Sequence, residues 1–268
     1  MAINQTIRIL SYNILANIYI KPEYYPGADH SFLEWHIRKK YLFDYILKFK
    51  ADIICLQEYE DLELKAWFTQ YGYQSIIYID QNHSKVGLAI FYLADKLELV
   101  SAEKTKLADS QQAAIIAKFN NGHKEFIIIN TKIRWVPQEI QKTTYAGYQQ
   151  IKWLLLSKLP MFVKDSNSIA PTAGHDTTGE IIICGDFNAD HHGSIYQLFM
   201  QHNLQDIFRD NPYNTVKANN QANRVDFCFA SSNLKYLAVN ITGLNNQDIV
   251  PSATIPSDHL PLIVDFHT

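Results

Sequence analysis

Residues 181–193 read IIICGDFNADHHG, an apolar run that ends in a cluster of polar residues. The apolar part predicts a buried β-strand that ends near Asp186. An EF-hand calcium loop begins with a similar D-x-N-x-D alternation, but it needs Gly at its sixth position and Glu at its twelfth. His191 and Gln197 stand there, so we exclude a calcium loop. The side chains that can bind metal ions in this stretch are Asp186, Asn188, Asp190, His191 and His192.

Short runs rich in β-branched and aromatic residues recur along the chain and predict further strands. They are TIRILSYN, ADIICLQ, QSIIYI, VGLAIFYL, LELVSA, AAIIAKF, EFIIINT, EIIICGD, RVDFCFA, YLAVNIT and LPLIVDF. The runs from QSIIYI to EFIIINT indicate a meander of neighbouring antiparallel strands.

Helical patterns lie between these runs, and the first of them carries a capping box of Ser31 and Glu34. The predicted helices cover residues 31–49, 62–68 and 194–202 and a segment after Pro137 that ends at Pro160. Strict alternation of strand and helix is absent. We therefore predict an α/β fold of two mixed, mostly antiparallel β-sheets packed face to face, with helices on the outside. No internal repeat divides the chain, and we expect a single domain over residues 1–268.

The composition argues for a globular protein in a reducing compartment. The chain has 268 residues, a net charge of −3 and a pI near 6.4, so any basic groups for nucleic acid must be local to a groove. Cys55, Cys184 and Cys228 each lie in an apolar run and are expected to be buried thiols. The N-terminus lacks the pattern of a signal peptide, and no apolar stretch approaches the roughly 18 residues of a membrane span. We expect a cytoplasmic monomer, and delivery to another cell stays open.

Polar side chains stand at the ends of several predicted strands: Asn13, Glu58, Asp186, Asn188, Asp226, Asp258 and His259. Each alone is typical of a turn, because Asn and Asp end strands by bonding to their own backbone. Together, acids and amides on rigid strands can line one groove, in which Mg²⁺ and a phosphate group offset their repulsion. A histidine beside them can titrate near neutrality. This set, without a thiolate cluster, favours phosphoryl chemistry over zinc peptidase chemistry.

The segments SYNIL, LQE, GDFN, RVDF and SDHLPL, in this order across the whole chain, resemble the endonuclease/exonuclease/phosphatase superfamily. The segments SYNILA, GDFNA…GSIYQL and IPSDHLPL are most similar to those of the carbon-catabolite-repressor-type deadenylases and their bacterial relatives. The resemblance implies the deoxyribonuclease-I-like fold, a four-layer α/β sandwich. It also implies a hydrolase of phosphate esters that uses Mg²⁺, with Mn²⁺ as a substitute.

The resemblance further implies a role for each matching residue. Glu58 is expected to be the main Mg²⁺ ligand, with Asn13 near the metal and the scissile phosphate. Asp258 is expected to complete the acidic side, near the metal or as a proton acceptor. Asp186 is expected to orient or deprotonate the attacking water. These residues form the expected metal and water side of the site.

On the phosphate side, the resemblance implies that Asn188 donates to a phosphate oxygen as charge builds there. His259 is expected to hydrogen-bond the phosphate. Asp226 is expected to hold His259 and keep it protonated, since a nearby carboxylate raises the pKa of an imidazole.

One position departs from the superfamily pattern. Many members have the sequence N-T-H-L after the strand that corresponds to EFIIINT, whereas this chain continues as NTKIRW, with Lys132 in place of the histidine. Lysine cannot act as an acid near neutrality unless its pKa is strongly lowered, but it can neutralise phosphate as a point charge. We expect Lys132 to contact phosphate together with Arg134, and we expect a shifted pH dependence or a reduced rate. The alternative is that Lys132 marks a lost or altered activity.

Nearby aromatic residues have two interpretations. Trp135, an expected substrate-binding residue, could stack a base together with Tyr145 and Tyr148, as in proteins that bind single strands. Aromatic residues at helical spacing are more often part of the core. His191 and His192 are expected to be solvated or to line the substrate rather than to bind metal.

Three hypotheses on function follow. The first is a Mg²⁺-dependent phosphodiesterase, a nuclease that cleaves RNA or DNA. The second is a phosphatase or lipid phosphodiesterase of the same superfamily, acting on inositol phosphates, sphingomyelin or nucleotides. The third is a binding module without catalysis, which only the substitution at Lys132 favours.

Overall fold

Two six-stranded β-sheets form the centre of the molecule. The computed structural model describes residues 6–60, 62–108, 110–135, 143–164 and 180–267. Within these ranges the strands are β1 (Thr6–Asn13), β2 (Ile53–Tyr59), β3 (Tyr73–Ile79), β4 (Gly87–Leu93), β5 (Glu98–Lys106), β6 (Ala113–Asn120), β7 (Glu125–Lys132), β8 (Glu180–Asp186), β9 (Leu204–Asp206), β10 (Val216–Ala218), β11 (Gln221–Asn223), β12 (Asp226–Ser231), β13 (Lys235–Val239) and β14 (Leu262–His267). The first sheet has the order β13-β14-β1-β2-β4-β3, the second has the order β5-β6-β7-β8-β12-β9, and β10 and β11 form a separate pair.

Helices cover the outer face of each sheet. They are α1 (Trp35–Leu47), α2 (Leu62–Gln70), α3 (Ala146–Trp153), α4 (Leu159–Lys164) and α5 (Ser194–Gln201), with a π-helical segment at Leu154–Lys158 and 3₁₀ turns at Asn17–Tyr19, Pro22–Tyr24 and His30–Leu33. In the described part of the chain, no helix is long and apolar enough to cross a membrane.

Three apolar clusters define four layers. One cluster lies between the sheets and includes all three cysteines, which are buried and free. A second joins the first sheet to α1 and α2 through residues such as Leu42 and Phe68. A third joins the second sheet to the remaining helices through residues such as Ile151 and Phe199. This order of helix, sheet, sheet and helix confirms the predicted four-layer α/β sandwich with mixed sheets.

The predicted continuous meander is wrong, because it divides between β4 and β5. β3 and β4 pair in the first sheet, whereas β5, β6 and β7 pair in the second. The chain crosses between the sheets at residues 94–97, where Leu97 enters the central cluster. Alternating side chains specify a strand, but they do not specify which sheet receives it.

Two predicted helix ends also differ. Ser31 lies in a 3₁₀ turn capped by Asp29, and the extended backbone of Glu34 separates this turn from α1. The helical region near Pro160 continues to Lys164 instead of ending there. A π-helical segment ends at Lys158, two residues before Pro160, so the turn that precedes the proline is not a regular α-helical turn, in which proline would clash. The predicted start of this helix after Pro137 lies outside the described residues.

Candidate active site

Parallel strand pairs bring the predicted polar residues to one edge of the sandwich. β1 runs parallel to β2, and β7 runs parallel to β8, so the carboxyl ends of each pair lie side by side. β12 is antiparallel to β8 and starts with Asp226 opposite Asp186. The loop before β14 adds Asp258 and His259. The topology therefore gathers residues that are far apart in the sequence.

Asn13 connects the two sheets at this edge. Its Nδ2 donates to Glu58 Oε1 and to Asp186 Oδ2, each at 2.9 Å. Its Oδ1 accepts from the backbone N–H of Leu15 at 3.0 Å, which fixes the orientation of the amide. Since Glu58 belongs to the first sheet and Asp186 to the second, one buried amide sets how closely these two carboxylates approach.

Glu58 lies at an irregularity of β2. The pairing of β2 with β4 shifts register between Gln57 and Tyr59, and Glu58 has a φ of 59°. A left-handed residue in a strand re-aims its side chain and costs conformational energy that the surrounding structure must offset. Glu58 Oε2 accepts from the backbone N–H of Ala16 at 2.7 Å.

His259 is held between two buried carboxylates. Its Nδ1 lies 2.8 Å from Asp226 Oδ2, and its Nε2 lies 4.0 Å from Asp258 Oδ1. Burial alone would lower the pKa of His259, but Asp226 and Asp258 outweigh this effect and raise the pKa to about 10. The imidazole is therefore cationic at neutral pH, and its Nδ1–H donates to Asp226.

Asp186 and Asp258 are carboxylates with raised pKa values, so each loses its proton less readily than an ordinary aspartate. Burial, followed by the charge of Asp226, raises the pKa of Asp186 to about 6. Burial also raises the pKa of Asp258, whose Oδ2 accepts from the Tyr25 hydroxyl at 2.9 Å. A carboxylate that ionises close to neutral pH has the property that a general base needs.

Asn188 braces Asp186 from the turn after β8. Its backbone N–H donates to Asp186 Oδ1 at 3.0 Å, and its Nδ2 donates to Ile133 O at 2.7 Å and more weakly to Asp186 Oδ2 at 3.3 Å. The rest of the quoted stretch lies apart from this arrangement. His191 and His192 are exposed, and their rings lie against each other at an angle of 45°. The backbone N–H of His192 donates to Asp190.

Lys132 has a carboxylate partner. It ends β7 opposite Asp186, and its ammonium group donates to Glu58 Oε1. Burial alone would lower the pKa of Lys132, but the charge of Glu58 outweighs this effect and raises it. To make the expected contact with phosphate, Lys132 must therefore share its ammonium group with Glu58 or leave Glu58.

The site opens into a cavity of about 710 Å³. Among the described residues, its cationic lining side chains are Lys132, Arg134 and His259. Aromatic and amide side chains form much of the remaining wall, among them Tyr19, Tyr24, Trp135, Gln112, Asn219 and Asn223. Trp135 is 61% exposed at this wall. The cavity therefore combines an acidic floor with a wall suited to a flat, polar group.

The other two aromatic candidates lie elsewhere. Tyr145 is fully buried, and its hydroxyl donates to the backbone carbonyl of Arg134. Tyr148 packs against the cluster between the second sheet and its helices. Both positions favour the interpretation of these tyrosines as core residues.

The donor set fits a divalent cation. Asp186, Asp226 and His259 offer ligand atoms that lie within 4.8 Å of one another. The proton on His259 explains its close approach to Asp226, so we regard the carboxylates as the better ligands. Burial is the main cause of the raised pKa values of Asp186 and Asp258, and the charges of neighbouring carboxylates add to it, so a bound cation would favour their ionised forms. Glu58 and Asp258 supply the hard oxygen donors that Mg²⁺ prefers. The expected ligand role of Asn13 does not fit, because its amide turns Nδ2, a donor, toward Glu58 and Asp186 and its oxygen toward the backbone N–H of Leu15.

Sequence reasoning missed Arg38, a fully buried residue of α1. It donates to the carbonyl groups of Ile14 at 2.8 Å, Leu15 at 2.6 Å and Pro256 at 3.2 Å. These contacts join the loop after β1 to the loop that carries Asp258. The available signal was a charged residue placed four positions before Leu42, on the apolar face of the helix.

Sequence reasoning also missed Tyr25 and Ser257. The Ser257 hydroxyl donates to the backbone carbonyl of Asn13 at 2.8 Å and accepts from the backbone N–H of His259 at 3.2 Å. Ser257 therefore ties the loop before β14 to the end of β1. Tyr25 lies in an irregular segment, and nothing in its local sequence indicates that it contacts Asp258.

Curated relatives share this sequence at moderate identity. The chain is 26% identical to Nocturnin of Xenopus laevis over 306 residues, which cover 98% of this chain and 72% of that protein. It is 28% identical to the CCR4-Not complex 3'-5'-exoribonuclease subunit Ccr4 of Debaryomyces hansenii over 236 residues. The latter alignment covers 73% of this chain but 27% of the subunit, so the chain spans about a quarter of that relative's length.

Solved structures share the fold. ANGEL2, a 2',3'-cyclic phosphatase, superposes with a TM-score of 0.83 at 18% identity, covering 98% of this chain and 95% of ANGEL2. The human Nocturnin catalytic domain with a bound sulfate anion superposes with a TM-score of 0.72 at 22% identity, covering 99% and 97% of the two chains. The sequence itself matches the Endonuclease/Exonuclease/phosphatase family over residues 10–259, a range that includes each residue gathered at the edge of the sandwich, and the chain belongs to that family.

Proposed function

We propose that the chain is a Mg²⁺-dependent hydrolase of phosphate esters, a nuclease that cleaves RNA or DNA phosphodiesters by attack of water. The observation that carries this proposal is the buried juxtaposition of a carboxylate that ionises near neutrality, Asp186, with a cationic imidazole, His259. One group can accept a proton while the other faces developing negative charge. The curated relatives, which include an exoribonuclease subunit, support this reaction class.

Asp186 serves as the group that orients the attacking water and accepts its proton. Its two carboxylate oxygens are fixed by Asn13 and Asn188, so the base is held in one orientation. Because the pKa of Asp186 is about 6, most of this residue is ionised at neutral pH.

His259 and Asn188 donate hydrogen bonds to the oxygens of the phosphate group. Asp226 keeps His259 protonated through Nδ1, which leaves Nε2 to donate to a phosphate oxygen. Asn188 can donate to a second oxygen when its weaker bond, at 3.3 Å, is given up. Both donors then act where charge develops in the transition state.

Glu58 and Asp258 would hold the metal, and Asn13 would orient Glu58 through its Nδ2 donor. A bound Mg²⁺ would supply Lewis-acid polarisation of the phosphate and neutralise part of its charge. Lys132 and Arg134 add positive charge at the cavity, and Trp135 offers an exposed ring on which a base can stack.

A second candidate is a phosphatase or phosphodiesterase with a small substrate such as a nucleotide or an inositol phosphate. The observation in its favour is the short supply of cations among the described residues of the cavity wall. A polymer with many phosphates would favour a longer basic track.

The test is turnover by purified protein with Mg²⁺ on a panel of substrates. The panel contains poly(A), other single- and double-stranded nucleic acids, inositol phosphates, sphingomyelin and mononucleotides. Asp186→Asn and His259→Asn are expected to lower kcat by at least about a thousandfold, because each removes a group that acts in the transition state.

Matched controls carry the same substitutions at exposed positions. His191→Asn and Asp210→Asn should retain wild-type turnover, since His191 and the Asp210 side chain lie in solvent. Equal turnover by wild type, Asp186→Asn and His259→Asn would identify a contaminant and refute the proposal. Absence of turnover on the whole panel, with Mg²⁺ binding retained, would favour the binding-module hypothesis.

A further inference from the structure

Lys132 was expected to contact phosphate, but in the structure its ammonium group contacts the carboxylate of Glu58. It is the last residue of β7, in parallel register with Asp186 at the end of β8. This register points its side chain across the gap between the sheets, where the ammonium group donates to Glu58 Oε1. Lys132 thus links the two sheets at the carboxylate that is proposed as the main metal ligand.

Three features hold the ammonium group in place. Glu58 is the direct partner, with a side chain that is 8% exposed. The ring of Tyr19 lies 5.0 Å from Lys132 Nζ, within the range of a cation–π contact. Asp186 adds a further negative charge nearby, which also raises the pKa of Lys132. These contacts hold the ammonium group beside Glu58.

Both carboxylate oxygens of Glu58 accept hydrogen bonds from its neighbours. Its Oε1 accepts from Asn13 and from Lys132, and its Oε2 accepts from the backbone N–H of Ala16. Burial alone would raise the pKa of Glu58, but Lys132 outweighs this effect and lowers it. A cation is therefore already paired with one of the two oxygens of the carboxylate proposed to hold the metal.

We propose that Lys132 is a tethered cation that competes with the divalent metal for Glu58 and so weakens metal binding. This inference rests on the proposed function, because it concerns the same metal site. A metal ion that binds Glu58 must displace the ammonium group, since the two positive charges repel each other strongly at close range in a buried site. The cavity that Lys132 lines offers the displaced side chain a position beside the substrate.

The experiment measures Mg²⁺ binding directly, by isothermal titration calorimetry and by the rise in melting temperature with Mg²⁺. Lys132→Met and Lys132→Gln both remove the charge, and the Gln variant keeps a donor for Glu58 if the Met variant folds poorly. Both are expected to bind Mg²⁺ about tenfold or more tightly than the wild type. Lys132→Arg keeps the charge and should retain the weak wild-type affinity.

Lys118→Met is the matched control. Lys118 is a buried lysine on the neighbouring β6, and its ammonium group lies 3.5 Å from Glu125 at the far end of β7. This variant has the same change in net charge and should bind Mg²⁺ as the wild type does. A gain in affinity equal to that of Lys132→Met would show a general charge effect and overturn the inference.

The remaining outcomes separate this inference from the proposed function. If the wild type binds Mg²⁺ and both neutral Lys132 variants bind it no more tightly, Lys132 does not compete, and the proposed metal site stands. If neither the wild type nor any Lys132 variant binds Mg²⁺ or Mn²⁺, the metal-dependent function fails as well. Glu58→Gln combined with Lys132→Met should lose the gained affinity; retention of the gain would place the metal elsewhere and overturn the inference.

Discussion

At His259, burial and two carboxylates act on the imidazole pKa in opposite directions, and the carboxylates dominate. The folded-state pKa of about 10 lies above the ordinary histidine pKa of 6.5. A raised pKa means that folding favours the protonated form. The resulting stability is fully present below about pH 6.5 and is lost as the pH rises through about 10.

We therefore expect the free energy of unfolding to fall between about pH 7 and pH 10 in EDTA, with part of this slope due to His259. His259→Asn should remove that part, because asparagine binds no proton in this range. Urea denaturation at a series of pH values measures both slopes. His191→Asn, at an exposed histidine, should keep the wild-type slope. Identical slopes for the wild type and His259→Asn would show that the fold does not retain this proton.

At the scale of the strand, Asp186 depends on the close approach of β7 and β8. A Cβ atom on Gly185 would lie 1.9 Å from Thr131 O, and Gly185 has a φ of 151°, which other residues rarely adopt. The glycine therefore allows the backbones to pair up to the last residue of β8, where the carboxylate enters the site.

Gly185→Ala is expected to lower the free energy of unfolding by about 2–4 kcal/mol, since the strands must separate. It should also lower kcat, because Asp186 moves with the backbone. Gly122→Ala is the control: Gly122 has a φ of 86°, and in the described ranges no atom beyond its chain neighbours lies within 4 Å of an added Cβ. Its cost should be about 1 kcal/mol, from the unfavourable φ alone. Chemical denaturation compares the two variants, and equal costs would contradict the role given to close strand approach.

For the whole molecule, the sequence predicted the sandwich because each strand carries its own local pattern of apolar residues and turns. It also predicted which polar residues belong to the candidate site, since Asn13, Glu58, Asp186 and Asp226 stand at the ends of apolar runs or border them. The structure brings these residues together, while their individual roles remain predictions. The crossover between β4 and β5 was not predictable in this way, because no local pattern assigns a strand to one of two sheets.

Residues that act across the fold were harder to predict. Arg38 reaches carbonyl groups on two loops, one of them 218 positions away in the chain. The pairing of Lys132 with Glu58 joins residues 74 positions apart. In both cases the partner depends on how the sheets and helices pack. The local sequence shows only that a charged residue lies among apolar ones, and it does not indicate the partner.

The three cysteines between the two sheets can report when the sheets separate, because a buried thiol reacts only after it is exposed. Cys55, Cys184 and Cys228 are each at most 1% exposed, and burial raises the pKa of Cys55 and Cys228. Reagents attack the thiolate, so labelling requires the sheets to separate. We expect Ellman's reagent to modify all three thiols at one common rate, and this rate should rise with urea as global unfolding does. A thiol that reacts much faster than the other two would reveal a local opening route into the sandwich.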